Sequence, residues 1–328
     1  MALRVNKGGP SRRATHHRRL TFDQVSFMAV FLVLPLAVFV VFVLSPFVQA
    51  LYYSTTNWTG FSSTMSFIGV ENFSNLFQDD TFLKALRNNV LLAIFVPAIT
   101  LLAAFVIACI VTVGGPSTGQ VRGLKGSGFY RVISFFPYAV PAIIIGLIWS
   151  QVYDPTRGLL NGVLTDLGLH HFQGFAWLGL TSTAMPASMF VIIWGLIGFY
   201  TVLFVAAIKG IPAETYEAAR IDGAGRVRLA LSITLPQILN NVRTSYIYIG
   251  IMALDAFTYM QALNPTGGPE YSTLTMTQSI FSTAFTKGKF GYATAMGVVL
   301  AVVTLLFIGL VFVVFRLVGG RPEREVRS

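Results

Sequence analysis

Six long apolar runs separated by polar stretches set the pattern of this chain: 25–44, 89–113, 132–152, 184–208, 246–260 and 291–318. Apart from the fifth, each is continuous and reaches the roughly 20 residues that a helix needs to cross a hydrocarbon core of about 30 Å. The pattern predicts an all-α polytopic membrane protein with six transmembrane helices. Period-two alternation, which a transmembrane barrel requires, is missing. The fifth run is the shortest, and Asp255 interrupts it. The chain then divides into a tail at 1–24, a membrane domain at 25–318 with an inner loop at 209–236, and a tail at 319–328.

Composition agrees with the pattern. Of 328 residues, 54% are hydrophobic and 11% charged, and a mean hydropathy of +0.69 excludes the soluble classes. The net charge of +10 raises the question of an anionic partner, and its distribution answers with topology instead. All but five of the 23 Lys and Arg residues lie at the two chain ends, between the second and third runs, and between the fourth and fifth. The other five are Lys84, Arg87, Arg157, Lys287 and Lys289. By the positive-inside bias both termini and the 209–236 loop face the cytoplasm. No folded basic domain remains to bind nucleic acid.

Several sites of chemistry are absent. Cys109 is the only cysteine, so no internal disulfide forms, and metal-ligand spacings are missing. His16-His17 and His170-His171 read as solvated surface rather than as metal sites. The stretch Gly123-Leu124-Lys125-Gly126-Ser127-Gly128 has neither the spacing nor the preceding strand of a P-loop, so no means of hydrolysing ATP is visible in this chain. The first run follows a basic tail, and Val48-Gln49-Ala50 resembles a cleavage site. The run is nevertheless longer than the roughly 7–15 residues of a signal core, and it reads as an anchor. On the outer side, Asp154-Pro155-Thr156-Arg157-Gly158 predicts a turn, followed by an amphipathic stretch at 159–169. Asn57 and Asn72 each begin an N-x-S/T triplet, a pattern common by chance. The outer loops serve either as a platform for an external partner or as simple caps on the helix ends.

The polar island between the fourth and fifth runs reads EAARIDGAGRVRLALSITLP over 217–236. Pro212 suits the first turn of a helix, where its missing N–H costs nothing. Glu214, Glu217 and Ile221 recur at helical steps, and the small Ala218 and Ala219 permit close approach by another surface. Asp222-Gly223 predicts a break, and a second helix from about Arg226 is expected to stop near Leu235-Pro236. A helix, a glycine turn and a second helix make a rigid knuckle. The alternative is an amphipathic helix lying under the bilayer with Arg220, Arg226 and Arg228 on anionic lipid.

The spacing of Glu217-Ala218-Ala219, Gly223 and Ile233-x-Leu235-Pro236 resembles the EAA motif of the permease subunits of bacterial binding-protein-dependent ABC importers. Gly267-Gly268-Pro269, with Gly291-Tyr292-Ala293-Thr294-Ala295 and Phe67-Ile68-Gly69-Val70-Glu71-Asn72-Phe73, resembles the carbohydrate-uptake branch of that family, which includes the maltose and glycerol-phosphate types. The resemblance implies that Glu217, Ala218, Ala219 and Gly223, with Asp222 and Ala224 beside them, dock into a cytoplasmic ABC ATPase dimer. ATP and Mg would bind in that partner, with no cofactor in this chain, which is not itself an enzyme. It further implies a second homologous permease, an extracellular or periplasmic substrate-binding protein, and a place in the bacterial inner membrane. The cargo implied is a sugar or short oligosaccharide, or alternatively glycerol phosphate.

Polar and ionisable groups within spans mark a candidate path, since they tend to face the bundle interior. Asp255, Tyr248 and Tyr259 lie at steps of seven and four along the fifth run, on one face of a continuous helix. Trp194 and Tyr200 in the fourth run add aromatic faces suited to a sugar. A rival reading takes Asp255 as the proton or cation site of an ion-coupled secondary transporter, in which the knuckle has no role. If Asp255 lines the path, Asp255→Asn alters uptake while ATPase binding persists. Unchanged uptake kinetics would return Asp255 to a structural role.

Overall fold

The computed structural model describes residues 21–62, 64–113 and 135–318. The 1–20 tail, the 114–134 loop and the 319–328 tail, on which several of the charge and glycine readings rest, lie outside the described residues. The chain forms two units, divided between Gln49 and Ala50.

The first unit is a helical run. It belongs to α1, Ser26–Tyr53, whose last turn lies in the second unit. Two wide π-turns, Ala29–Val33 and Val40–Leu44, interrupt its α-helical geometry. Residues 27–44 are exposed on every side, and a helix this apolar all round has the character of a membrane span.

The second unit contains α2 (Asp80–Val113), α3 (Ala142–Val152), α4 (Thr181–Lys209), α5 (Ala213–Ile221), α6 (Leu239–Leu254), α7 (Phe257–Leu263), α8 (Met276–Phe281) and α9 (Phe290–Val318). Shorter helical pieces join them, and Thr56 and Phe67 make an isolated antiparallel bridge. The core sits where α2, α4 and α6 pack together: Leu92, Val96 and Phe105 meet Leu196, Phe204 and Ile208, with Ile249 and Ala253 closing the third side. Small residues let other pairs approach closely. A Cβ at Gly146 of α3 would strike Ala262 of α7, and one at Gly250 of α6 would strike the Phe307 ring of α9.

Four described helices are long and apolar enough to cross a membrane: Ser26–Tyr53, Asp80–Thr112, Thr181–Lys209 and Phe290–Leu317. The third and fifth runs differ from the expectation of single continuous helices. In the third, extended backbone at Pro141 (φ −54°, ψ 136°) separates a helical turn at 135–139 from α3. Proline both lacks an N–H and pushes its predecessor out of helical geometry. The fifth begins earlier than expected, at Leu239, and breaks at Asp255 (φ −107°, ψ 48°) and Ala256 before α7. The expected common face of Tyr248, Asp255 and Tyr259 is therefore interrupted. The helix after Arg226 passes through a π-turn at Leu229–Thr234 and ends at Gln237, next to the expected stop at Leu235-Pro236.

Asn89, fully buried on α2, holds the break in the fifth run. Its Nδ2 donates to Leu254 O at 2.6 Å, and its Oδ1 accepts from the N–H of Met276 at 2.9 Å, at the start of α8. One amide thus satisfies a carbonyl that the lost helical turn leaves free and a donor that has no intrahelical partner. Outside the spans, the expected turn forms around Asp154. Its carboxylate accepts from the N–H of Arg157 and from the hydroxyl and N–H of Thr156, and these bonds hold its pKa below the usual carboxylate range. The amphipathic stretch beyond is helical over Leu159–Asp166. Asn72 is buried and donates to Ser54 O and Thr56 O, so its amide is engaged in folding the outer loop.

Asn89→Ala is expected to cost about 1–2 kcal/mol, the penalty for leaving a buried carbonyl and N–H unpaired in an apolar setting. The drop would be read in detergent as a lower unfolding midpoint of the purified chain; an unchanged midpoint would remove Asn89 from the support of the break.

Candidate functional site

Two features of the second unit stand out by geometry, a polar knuckle beyond α4 and a cavity beside α6. The knuckle begins at Pro212 (φ −56°, ψ 137°), whose extended backbone starts α5. Tyr216 is buried, and its hydroxyl lies 3.0 Å from that of Thr234, which donates to Leu229 O at 3.1 Å. This strut fastens α5 to the helix that follows it. Burial pushes the Tyr216 phenol pKa upward, and its bond to Thr234 opposes the shift.

The turn is closed by backbone bonds from Gly223 N–H to Arg220 O and from Ala224 N–H to Ala219 O, a Schellman arrangement. Gly223 sits at φ +78° with open space around its Cβ position. The six residues expected to dock do not all face the same way. Glu217, Ala218, Asp222 and Gly223 are exposed, whereas Ala219 and Ala224 are half-buried and pack toward the core. Two apolar side chains join the exposed set, Ile221 at 87% and Val227 at 73% exposure. Val227 was missed in the sequence reading. Its signal is an apolar residue between two arginines in the most polar stretch of the membrane domain.

The cavity, of about 510 Å³, is lined by Tyr138, Phe199, Tyr200, Asn240, Asn241 and Tyr248, among others. Tyr138 and Phe199 stack with ring centroids 4.5 Å apart, and Tyr200 meets Phe199 edge-on at 5.1 Å. The Ser245 hydroxyl, also in the lining, is buried without a hydrogen-bond partner. Aromatic faces beside amides and hydroxyls match the two surfaces of a sugar, its apolar ring face and its hydroxyl rim.

Of the five expected path residues, only Tyr200 and Tyr248 line this cavity. Trp194 packs edge-on against Trp149 at 5.5 Å, and Tyr259 lies beneath Gly195. Asp255 is exposed at the helix break, outside this cavity. Asn240 and Asn241 were not singled out. Their signal is an amide pair four residues after Pro236, at the threshold of an apolar run.

Residues 110–321 match the profile of the family described as binding-protein-dependent transport system inner membrane component. The chain belongs to this family. The permease is 63% identical over 322 residues to the diacetylchitobiose uptake system permease protein NgcF of Streptomyces coelicolor, covering 98% of this chain and 90% of the relative. It is 34% identical to the probable ABC transporter permease protein YurN of Bacillus subtilis, over 83% of this chain and 90% of that one. Against the sn-glycerol-3-phosphate transport system permease protein UgpA of Yersinia pestis it is 30% identical, over 92% and 96% of the two chains. Among solved structures, a chain of a bacterial alginate ABC transporter in complex with an alginate pentasaccharide-bound periplasmic protein superposes with a TM-score of 0.73. It is 23% identical, and the match covers 90% of the permease and 96% of that chain, so the likeness is one of fold.

Asn241 and Tyr248 are both exposed to the cavity and outside the packed core. Asn241→Ala and Tyr248→Ala are each expected to reduce cargo uptake roughly three- to tenfold, the loss of one hydrogen bond or one aromatic face. Membrane levels of the permease should stay unchanged. Wild-type uptake by both variants would take the cavity out of the path.

Proposed function

We propose that this chain is one permease subunit of an ATP-driven importer for an N-acetylated disaccharide or short oligosaccharide of the diacetylchitobiose type. The observation that carries the reading is 63% identity, spread over 98% of the chain, to a permease named for diacetylchitobiose uptake. The cavity supports it. Its lining contains rings, amides and hydroxyls and, among the described residues, no Lys or Arg, a chemistry that suits a neutral sugar better than a phosphate ester.

In this reading the knuckle docks into a cytoplasmic ATPase dimer that binds ATP and Mg. Glu217, Ala218, Asp222 and Gly223 form the exposed contact, and Ile221 and Val227 supply the apolar anchors that interfaces use at their centres. A second, related permease completes the pore, and an external binding protein delivers the cargo. Both termini and the knuckle lie on the cytoplasmic side of the bacterial inner membrane, as the Lys and Arg distribution favours. ATP-driven closure of the ATPases moves the knuckle as a rigid body, and the connected helices switch between inward and outward opening.

The test is affinity purification of the tagged chain from gently solubilised host membranes, with an ATPase assay and uptake of labelled diacetylchitobiose. The wild type is expected to bring down a P-loop ATPase and a second permease. Gly223→Asp should reach the membrane but lose or uncouple the ATPase, because it places a charged side chain at a positive φ on the contact surface. A wild-type chain that purifies alone, or a fully coupled Gly223→Asp variant, would overturn the docking assignment. ATPase-coupled transport of some other sugar would overturn only the cargo.

A further inference from the structure

A second cavity, of about 480 Å³, lies between the outer ends of α2 and α4 and the loop before α8. Its polar end carries Lys84, Arg87 and Ser272, and its apolar end carries Leu91, Phe95 and Met189. Lys84, Arg87, Leu91 and Phe95 follow one another at steps of three or four and so form one stripe of α2. At about 1.5 Å per residue, that stripe descends about 16 Å, from the level of the headgroups into the outer half of a hydrocarbon core. Cationic at one end and apolar at the other, the cleft has the polarity profile of a membrane lipid.

Charge sharpens the assignment. The outward-facing loops hold five of the chain's 23 Lys and Arg residues, and two of those five stand one helical turn apart in this cleft. Positive charge on the outer side runs against the bias that orients the chain. Both side chains are exposed, and neither has a carboxylate partner among the described residues. Lys84 Nζ reaches only the backbone carbonyl of Glu270, at 3.4 Å. Glu270 also lines the cleft, so these three charged groups leave one net positive charge. The loop at this rim passes through left-handed backbone at Glu270 (φ 50°) and Tyr271 (φ 60°). Asn88 pins it there by donating to Tyr271 O and Leu274 O.

We propose that this cleft binds an anionic phospholipid of the outer leaflet. The phosphate sits between Lys84 and Arg87, and the upper acyl chain runs along Leu91, Phe95 and Met189. The apolar half argues against a free anion such as inorganic phosphate, which has nothing to place there. The assignment rests on the membrane orientation given above and not on the identity of the cargo.

The experiment uses the assembled transporter captured through this chain, reconstituted in bilayer discs of phosphatidylglycerol and phosphatidylcholine and then read by native mass spectrometry. Wild type should retain phosphatidylglycerol in preference to phosphatidylcholine through delipidation. The Lys84→Gln/Arg87→Gln double variant should lose that retention roughly tenfold or more, with its subunit composition unchanged. Equal retention of the two lipids, or undiminished phosphatidylglycerol on the double variant, would overturn the proposal. A photo-crosslinking residue at Phe95 gives a second readout. Lipid adducts support the site, whereas a crosslink to a second permease shows that protein covers the cleft and overturns it.

Discussion

A backbone in hydrocarbon has to satisfy its own hydrogen bonds, and that constraint shapes the whole structure. It explains why the described membrane-domain segments are helical and why the break in the fifth run is met by protein groups. The break at Asp255–Ala256 is the instructive case. A helix can end within a membrane domain only if another group takes over the freed carbonyl, and Asn89 does so at Leu254 while also meeting the first N–H of α8. Neighbouring Asn88 performs the same service for the loop carbonyls of Tyr271 and Leu274. Two adjacent amides on α2 therefore anchor the whole 254–276 segment, which includes the strained outer loop.

The same economy links the knuckle to the cavity. The Tyr216–Thr234 strut joins α5 to the helix after the glycine turn. That helix runs to Gln237 and meets α6 at Leu239, with only Ile238 outside helical geometry between them. Asn240 and Asn241 then open the cavity lining. The knuckle is thus connected to the lining through covalent helix and one buried hydroxyl pair. In the proposed cycle such connections would carry rigid-body motion, because packed cores deform in discrete steps rather than continuously.

Legibility in the sequence followed the range of the interactions involved. The apolar runs at 89–113, 184–208 and 291–318 became α2, α4 and α9, because an unbroken apolar stretch needs no distant partner to declare itself a span. The turn at Gly223 was legible for the same reason: only a residue tolerant of positive φ closes a Schellman turn without strain. The break in the fifth run was not. Asp255 looked like one polar residue on a continuous helical face, and nothing local distinguishes that from a break stabilised by an asparagine 165 positions away.

The amino-acid sequence by itself determined the class of the protein, the order of its long apolar helices, and the glycine turn beyond the fourth run. Each of these depends on residues within a few turns of one another or on composition alone. Tertiary structure decided which aromatics share a cavity, setting Tyr200 and Tyr248 beside Asn240 and Asn241 while turning Trp194 and Tyr259 into helix contacts. It also decided which half of the motif faces outward, burying Ala219 and Ala224 partway and leaving Ile221 and Val227 exposed. Helical periodicity gives the relative angle of side chains around one axis, but the direction that angle faces is set only when the helices pack against each other.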